Sequence, residues 1–498
     1  MYLIGLLAAL PLVSGFSDPK HACQSLLKSH SNATFYSLTP EYIEANTDFY
    51  TANAHLNPAC VFQPTTPEQL AEGIKTLVKD ETLFAFRGGG HMPIPGYNNI
   101  NSTGVLITSA GLNQLEIGPD NATVNVGPGN VWTDVYKYLE PYGKSVVGGR
   151  LGVVGVPGYI IGGGVSFFGN EYGWASAMVN SFTAVLADGS IVKATAHNEY
   201  SDLFWALRGG GNAFALVTNF EIRTVPSAKV MVGMATFSDE VTSTQFLDGL
   251  YEFGINGSND PKAAAIPLVE YISGADKPTY TSFLFYNGDD EDPAALKGLS
   301  SLPTSKNTFQ HRSMYQWSTE MDSEVKLAYN LKQRFWVLPT YVNRTAISII
   351  HDTFTEATKN FDPGLGFYIL GLAIMPVPKT FFSASQVNGG DPQAIDPNSG
   401  PHIWVEESFS YLGSWKDSDV DDFYQKVNAN ITTQLKEAGI PENEFFYLND
   451  ANKLQTDDVW AGYPKESVER LQKIRSKYDP DNVYTELLPG GWKVTDAN

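Results

Sequence analysis

The sequence predicts an α+β fold with two domains, and three observations support this. Short apolar runs that read as strands alternate with stretches at helical spacing between residues 55 and 227. A second series of strands and helices fills residues 228–440, and an amphipathic helix from Val468 to Lys477 precedes a Tyr-Asp-Pro turn. The 498 residues, 43% of them hydrophobic, suffice for two or three cores. We expect residues 441–498 to return to the first domain.

The N-terminal region has the features of a secreted protein. Residues 1–15 hold a short apolar run that ends on small residues, which predicts a signal peptide; a buried N-terminal helix is the alternative. A polar and aromatic lead-in follows at residues 16–54. The two cysteines, Cys23 and Cys60, are expected to pair in an oxidising compartment and to stay free thiols otherwise. Six glycosylation sequons agree with secretion: Asn32, Asn101, Asn121, Asn256, Asn343 and Asn430.

Charge narrows the range of partners. Lys and Arg number 33 against 54 Asp and Glu, which gives a formal net charge of −21. A field of this sign repels nucleic acid and anionic membranes. The N-terminal apolar run is also too short to span a bilayer. We therefore expect no nucleic-acid or membrane partner, and a monomer that acts on a small molecule.

The first domain opens with a strand–helix–strand unit. Residues 59–62 and 83–86 are apolar and read as strands. Between them, Thr66-Pro67 predicts a helix start, because the hydroxyl can cap and proline is favoured in the first turn. The unit delivers a glycine loop at the end of a strand. The elements expected to follow are strand Val105–Thr108, a hairpin around residues 118–121, helix Val131–Leu139 and strand Ser145–Val147.

Two glycine-rich segments are the candidate ligand site. The loop of residues 87–90 lets backbone amides approach an anion because no Cβ intervenes, and His91 follows it directly. The segment of residues 148–164 implies backbone packed against a large flat ligand or against another backbone. It does not fit a Rossmann loop: the glycine spacing is wrong, no helix of good propensity follows, and the expected acidic residue is not evident. An ordinary turn and a structural histidine are the plain alternatives.

Four separated motifs resemble the FAD-linked oxidases of the vanillyl-alcohol oxidase superfamily, with the fungal berberine-bridge-enzyme-like branch as the nearest likeness. They are Arg-Gly-Gly-Gly-His at 87–91, Val-Leu-Ala-Asp-Gly-Ser at 185–190, the block at 202–214 and Tyr-Asp-Pro-Asp-Asn-Val-Tyr at 478–484. The resemblance implies a two-part FAD-binding domain of the PCMH type, residues 55–227 with 441–498. It also implies an inserted substrate domain at 228–440, an antiparallel sheet backed by helices.

The resemblance also implies the cofactor and its ligands. A ring nitrogen of His91 is expected to bond the 8α-methyl group of the flavin. Leu151 stands where bicovalent relatives carry cysteine, so a single covalent link is expected. Val154 occupies the gatekeeper position and resembles members that admit O2; an ordinary strand residue is the alternative. The other positions expected to bind FAD are Arg87, Gly88, Gly89, Gly90, Met92, Gly155, Gly158, Gly162, Gly163, Val217 and Asn482.

The strand predicted at residues 401–413 carries the candidate catalytic base. Because side chains alternate along a strand, Glu406 shares one face with Trp404, whereas Val405 and Phe409 form an apolar face expected to meet helices. Glu406 is the candidate for taking a hydroxyl or phenol proton, and Glu407 would be structural. Tyr368 and Tyr484 are rival catalytic residues, and a solvated glutamate is the plain alternative.

These observations together predict a secreted FAD-dependent oxidase that produces H2O2. The expected substrate is a small alcohol, amine or aromatic secondary metabolite. A dehydrogenase, a flavin-containing oxidative cyclase, an oligosaccharide oxidase and a non-catalytic binder remain as alternatives. Leu151 makes the carbohydrate reading less favoured, because oligosaccharide-oxidising relatives are mostly bicovalent.

Overall fold

The computed structural model describes residues 17–227, 229–359, 361, 367–412 and 417–497. The predicted signal peptide, residues 1–15, lies outside the described residues. Within them, no helix has the length and apolar character needed to cross a bilayer. The helices of this part are α1 (Pro19–Ser29), α2 (Pro40–Thr47), α3 (Pro67–Lys79), α4 (Trp132–Leu139), α5 (Val156–Ile161), α6 (Gly169–Tyr172), α7 (Ser201–Ala206), α8 (Ser243–Asn256), α9 (Lys297–Ser300), α10 (Met314–Val325), α11 (Arg344–Lys359), α12 (Lys379–Ser385), α13 (Asp417–Glu437), α14 (Thr456–Ala461) and α15 (Lys465–Tyr478).

The first sheet carries the glycine loop at its edge. Its strands are β1 (Thr34–Phe35), β2 (Cys60–Phe62), β3 (Phe84–Arg87) and β4 (Val105–Thr108), in the order β1-β2-β4-β3. Strands β2 and β3 both run parallel to β4, with α3 as the crossover, which confirms the predicted strand–helix–strand unit. Loop 88–90 therefore leaves the carboxyl end of a buried parallel strand.

The second sheet is antiparallel and holds the rest of the first half of the chain. Its strands are β5 (Leu115–Ile117), β6 (Thr123–Val126), β7 (Ser145–Val146), β8 (Val179–Val185), β9 (Ile191–Thr195) and β10 (Leu216–Val225). The order is β5-β6-β10-β8-β9, and β7 also pairs with β10. The predicted hairpin around residues 118–121 is the connection from β5 to β6.

The third sheet is antiparallel, and one of its faces lies toward the candidate active site described below. Its strands are β11 (Val230–Phe237), β12 (Ala263–Ile272), β13 (Thr279–Tyr286), β14 (Thr304–Asn307), β15 (Gln310–Arg312), β16 (Lys332–Tyr341), β17 (Tyr368–Val377) and β18 (His402–Tyr411). The path β14-β11-β13-β12-β17-β18-β16 places β18 between β17 and the edge strand β16. Helices α8, α11 and α13 cover one face through a core that includes Phe246, Ile350 and Tyr424. Residues of the opposite face share a core with residues of the second sheet.

Two parts of this fold differ from the sequence prediction. Strand β16 was not predicted; it contains Pro339, which lacks a backbone N–H, and such a strand is tolerated at the edge of a sheet. The second difference lies inside the second glycine segment, for which no helix was predicted. The six-residue helix α5 forms there, with Gly155 as its N-cap residue and Pro157 in its first turn.

The lead-in is folded onto the first sheet. Helices α1 and α2 begin after Asp18 and Thr39, each of which caps the helix with a side-chain oxygen ahead of a proline. A disulfide joins Cys23 in α1 to Cys60 in β2, so the predicted pairing is confirmed. Helix α1 is thereby bonded to the sheet that carries the glycine loop.

Candidate active site

A cavity of about 370 Å³ lies between the two glycine segments and the open face of the third sheet. Most residues predicted from the sequence to form the site line it. They are Gly88, Gly89, Gly90, His91, Met92, Leu151, Val154, Gly155, Gly158, Val217 and Glu406. Residues that are far apart in the chain thus line one cavity.

The two glycine segments pack directly against each other. A Cβ on Gly89 would lie 2.5 Å from Cα of Gly155, and a Cβ on Gly155 would lie 2.4 Å from the backbone nitrogen of Gly89. Side chains at either position would separate the two loops. Gly158 differs, because a Cβ there would meet nothing within 4 Å. Both interpretations of the segment therefore apply. Backbone packs against backbone at Gly155, and open space for a ligand remains beside Gly158.

His91 lies partly buried at the end of the first glycine loop. Its ring stacks on that of Tyr50, with centroids 4.1 Å apart and an interplanar angle of 22°. Nδ1 is buried and has no hydrogen-bond partner. Burial lowers the pKa of His91 to about 4, so the imidazole is neutral at neutral pH. An uncharged nitrogen is therefore available to a ligand at the cavity wall.

Arg87 holds the lead-in against this loop and does not line the cavity. Its Nη2 donates to the backbone carbonyl of Asp48 and, at 2.7 Å, to the carboxylate of that residue. The guanidinium also lies 4.8 Å from the ring centroid of Phe49. The N–H of Tyr50 then donates to the carbonyl of Gly90 at 3.0 Å. These contacts position Tyr50 beside His91, and they turn the Arg87 side chain away from the cavity; that Arg87 binds the cofactor stays a prediction.

Glu406 and Glu407 lie on opposite faces of β18, as the alternation predicts. Glu406 lines the cavity and lies opposite Val337 of β16 and Ala373 of β17. Burial and the neighbouring Asp450 raise the pKa of Glu406 above its usual range, against an opposing effect of Arg150. Glu407 faces α13, where its Oε2 accepts from Nδ2 of Asn428 at 3.1 Å.

Five further predicted residues lie outside the cavity lining. The hydroxyl of Tyr368 donates to the carbonyl of Phe361 on the helix-covered face of the sheet, and Tyr368 belongs to that core. The hydroxyl of Tyr484 donates to the carbonyls of Val185 and Leu186 at 2.9 and 3.1 Å. Neither residue lines the cavity, so the geometry favours Glu406 over these two rival assignments.

The remaining three are Gly162, Gly163 and Asn482. The two glycines pack against the side chains of Asn449 and Gln393, where a Cβ would lie within 2.7 Å of a side-chain atom. Asn482 bonds Arg475 and Glu486 in the C-terminal turn. These three residues belong to the motifs found in the sequence, but their contacts stabilise the fold behind the cavity.

Several cavity residues were not predicted. Tyr50 lies in the lead-in, Arg150 in the second glycine segment and Asp450 in the turn before α14. Phe283 and Trp317 of the second half also line the cavity. Arg150 is a charged residue among glycines, and this contrast could have marked it. Nothing in the local pattern marks Tyr50 or Asp450.

Comparison with known proteins assigns the family. Residues 58–195 match the family model described as FAD binding domain. A FAD-dependent monooxygenase of Penicillium roqueforti is 30% identical over 510 residues, covering 96% of this chain and 94% of that protein. The chain belongs to the FAD-linked oxidoreductases. Among other relatives of this oxidoreductase, the bifunctional solanapyrone synthase of Alternaria solani is 31% identical over 95% of this chain and 89% of that protein.

The fold of the oxidoreductase is that of the berberine-bridge-enzyme-like proteins. Berberine bridge enzyme from Eschscholzia californica superposes with a TM-score of 0.71 at 17% identity, covering 93% of this chain and 97% of that one. The cavity residues also fit FAD: side-chain-free backbone lines one wall, open space remains at Gly158, and Nδ1 of His91 is buried without a partner. Among the described residues, no group of three or more His, Cys, Asp or Glu could hold a metal ion.

Proposed function

We propose that this oxidoreductase is a secreted, monomeric oxidase of small aromatic or apolar molecules, with FAD bound covalently to His91 alone and O2 as the final acceptor. The observation that carries this proposal is the presence of His91 and Glu406 in one cavity. Bound FAD would supply the acceptor for the hydrogen and electron pair of a substrate C–H bond. The chain's own residues attach the cofactor, exclude water and handle the proton.

His91 is suited to a single covalent attachment. Its ring is neutral and stacks on Tyr50, and its buried Nδ1 has no hydrogen-bond partner. Leu151 lines the same cavity where a second attachment would need a thiol. Both cysteines are held in the disulfide, so neither can bond the cofactor. A tether of this kind retains the cofactor on dilution outside the cell.

Glu406 is the proposed base. Burial makes its ionised form strong as a proton acceptor, because a carboxylate that is desolvated binds a proton more tightly. Oε of Glu406 would take the proton of a substrate hydroxyl, and the electron pair of the broken O–H bond would stay on the substrate oxygen. A positioned base of this kind contributes on the order of 10²–10⁴-fold in rate.

The cavity wall favours an aromatic or apolar substrate. Phe167, Phe283 and Trp317 line it and meet edge to face, with ring centroids 5.8–6.5 Å apart. Aromatic walls of this geometry bind flat apolar rings, whereas a sugar groove needs many more polar groups. The name of the Alternaria relative, solanapyrone synthase, agrees with a small-molecule substrate. The relative named a synthase keeps an oxidative cyclase as the second candidate.

Attachment is tested by acid precipitation of the purified protein. We expect flavin absorbance to stay with the precipitate in the wild type and to remain in the supernatant for His91→Ala. His402→Ala is the matched control, because His402 is also buried with an unpartnered Nδ1 but does not line the cavity. Flavin released from the wild type by acid would refute the covalent link.

Catalysis is tested by anaerobic bleaching of the flavin against a panel of phenolic, alcohol, amine and sugar compounds. Glu406→Gln should slow bleaching on the order of 10²-fold or more, whereas Glu407→Gln should not. In air, peroxide formed in equal amount to product identifies the oxidase, and product without peroxide identifies a ring closure without net turnover of O2. Bleaching by sugars alone would refute the aromatic assignment, and bleaching by no compound would favour a binder.

A further inference from the structure

Two charged residues outside the predicted set, Arg150 and Asp450, line the cavity together with Glu406. The wall around them is largely apolar, and an isolated charge in such a place is costly. Charged groups in an enclosed site are expected to compensate one another. Two carboxyl groups and one guanidinium do not cancel if all three are ionised. One proton is needed to bring the set to zero charge.

The strand register places Arg150 beside Glu406. Ala373 lies opposite Glu406 and Met375 opposite Trp404, one step along the same face of the sheet. Nη1 of Arg150 is 3.0 Å from Sδ of Met375. The backbone carbonyl of Arg150 accepts from Nε1 of Trp317 at 3.0 Å, which fixes the residue. The guanidinium therefore lies over the strand pair that carries Glu406.

A stacked turn places Asp450 on the same side. The N–H of Asp450 donates to the carbonyl of Tyr447 at 3.2 Å. The ring of Tyr447 stacks on Trp404 with centroids 5.9 Å apart and an interplanar angle of 14°. Trp404 precedes Glu406 by two residues and so shares its face of β18. The turn is further held by Nδ2 of Asn449, which donates to the Tyr447 hydroxyl at 2.9 Å.

We propose that Glu406 and Asp450 hold one proton between them and that Arg150 balances the one remaining negative charge. The inference rests on the proposed function for the identity of the proton donor, a substrate hydroxyl. In the resting site the shared proton lies on Glu406, and Asp450 is the carboxylate. When the substrate O–H bond breaks, the proton of Glu406 passes to Asp450, a new O–H bond forms on Oε of Glu406, and the electron pair of the broken bond stays on the substrate oxygen. Asp450 and Arg150 are positioning residues in this step.

The surrounding groups shift the pKa values of the two carboxyl groups in the directions that a shared proton requires. Burial raises the pKa of both carboxyl groups, Asp450 raises that of Glu406 further, and Arg150 lowers both. The charge of Glu406 also raises the pKa of two phenols, that of Tyr50 in the cavity wall and that of Tyr424 on α13, across the sheet. The neutral His91 shares the cavity. Arg150 is thus the cation that the structure places beside the pair.

The test is infrared titration of the carboxylic acid band in the purified holoenzyme, which needs no substrate. Glu406→Gln, Asp450→Asn and the control Glu407→Gln assign the contributions to the band. In Asp450→Asn the midpoint for Glu406 should fall by about one pH unit or more, because the competing negative charge is gone. In Arg150→Met it should rise, and in Arg150→Lys it should change little. In Glu407→Gln the pair should titrate as in the wild type.

An unchanged Glu406 midpoint in both Asp450→Asn and Arg150→Met would overturn the proposal. If Asp450→Asn does not fold, Arg150→Met decides: a rise supports the sharing and an unchanged midpoint refutes it. The result is separable from the proposed function, because acid precipitation reports flavin attachment independently. If flavin is attached to His91 but the Glu406 midpoint is unchanged, only the shared proton is refuted. If the midpoint shifts but no flavin is covalently bound, only the proposed attachment is refuted.

Discussion

The contact between the two glycine loops makes a sharp prediction for Gly89→Ala. The new Cβ would lie 2.5 Å from Cα and 2.6 Å from the nitrogen of Gly155. Carbon atoms pack best at about 3.5–4.0 Å, so the loops must separate by roughly 1 Å. Overpacking costs roughly 1–3 kcal/mol. Because backbone atoms are on both sides and cannot change rotamer, we expect a loss of about 3 kcal/mol in the free energy of unfolding.

Gly158→Ala is the matched control for this substitution. It adds the same methyl group to the wall of the same cavity, but it meets nothing within 4 Å. Gly158 also lies inside α5, where alanine is favoured over glycine by up to about 1 kcal/mol. Gly158→Ala should therefore keep or raise the stability of the flavin-free protein and lower its flavin content, since the methyl group occupies cavity space.

The assay is urea unfolding of both variants followed by tryptophan fluorescence at matched flavin content, with flavin measured by absorbance. Wild-type stability in Gly89→Ala would refute the reasoning, since it would mean that the loops can separate freely. Equal destabilisation by both substitutions would also refute it, because their surroundings differ while the added group is the same.

Two further predictions concern stability away from the cavity. Replacing Cys23 and Cys60 by alanine opens a loop of 37 residues in sequence separation, so the free energy of unfolding should fall by roughly 4 kcal/mol on the loop-entropy model; equal denaturation midpoints with and without the bond would contradict this. Burial lowers the pKa of Lys493 to about 7, so the unfolded chain binds more protons than the folded one above that pH. Stability should therefore rise between pH 7 and about 10 with a contribution of up to about 1.4 kcal/mol per pH unit, and Lys493→Met should lack this contribution in thermal unfolding scans.

The parts of the site predicted from the sequence are those whose periodicity or glycine content is local. Two-residue alternation in β18 was enough to separate Glu406 from Glu407, because a strand in a half-covered sheet has only two faces. The helix capped by Thr66 and the strands that flank it follow from the same kind of local pattern. The glycines at 88–90 and 155 predicted a close backbone contact, and the structure shows that Gly89 and Gly155 make it with each other.

The parts that were missed depend on contacts between distant segments. Tyr50 reaches His91 only because Arg87 bonds Asp48, and no pattern joins residue 50 to residue 91. Asp450 reaches the cavity through the stacking of Tyr447 on Trp404. Conversely, Tyr484 belongs to a recognisable motif, yet its hydroxyl donates to backbone carbonyls and not to a group in the cavity. A motif indicates the family, whereas the direction of each side chain depends on its packing.

The position of β18 between two neighbours restricts how this site can change during evolution. Ten consecutive residues of β18 are paired with β16 on one side and with β17 on the other. Deleting or inserting one residue there would exchange the faces of Glu406 and Glu407. Glu407 would then point into the cavity, and Glu406 would lie beneath the helices. New chemistry can therefore arise through side-chain replacement along this strand, while its length must stay constant.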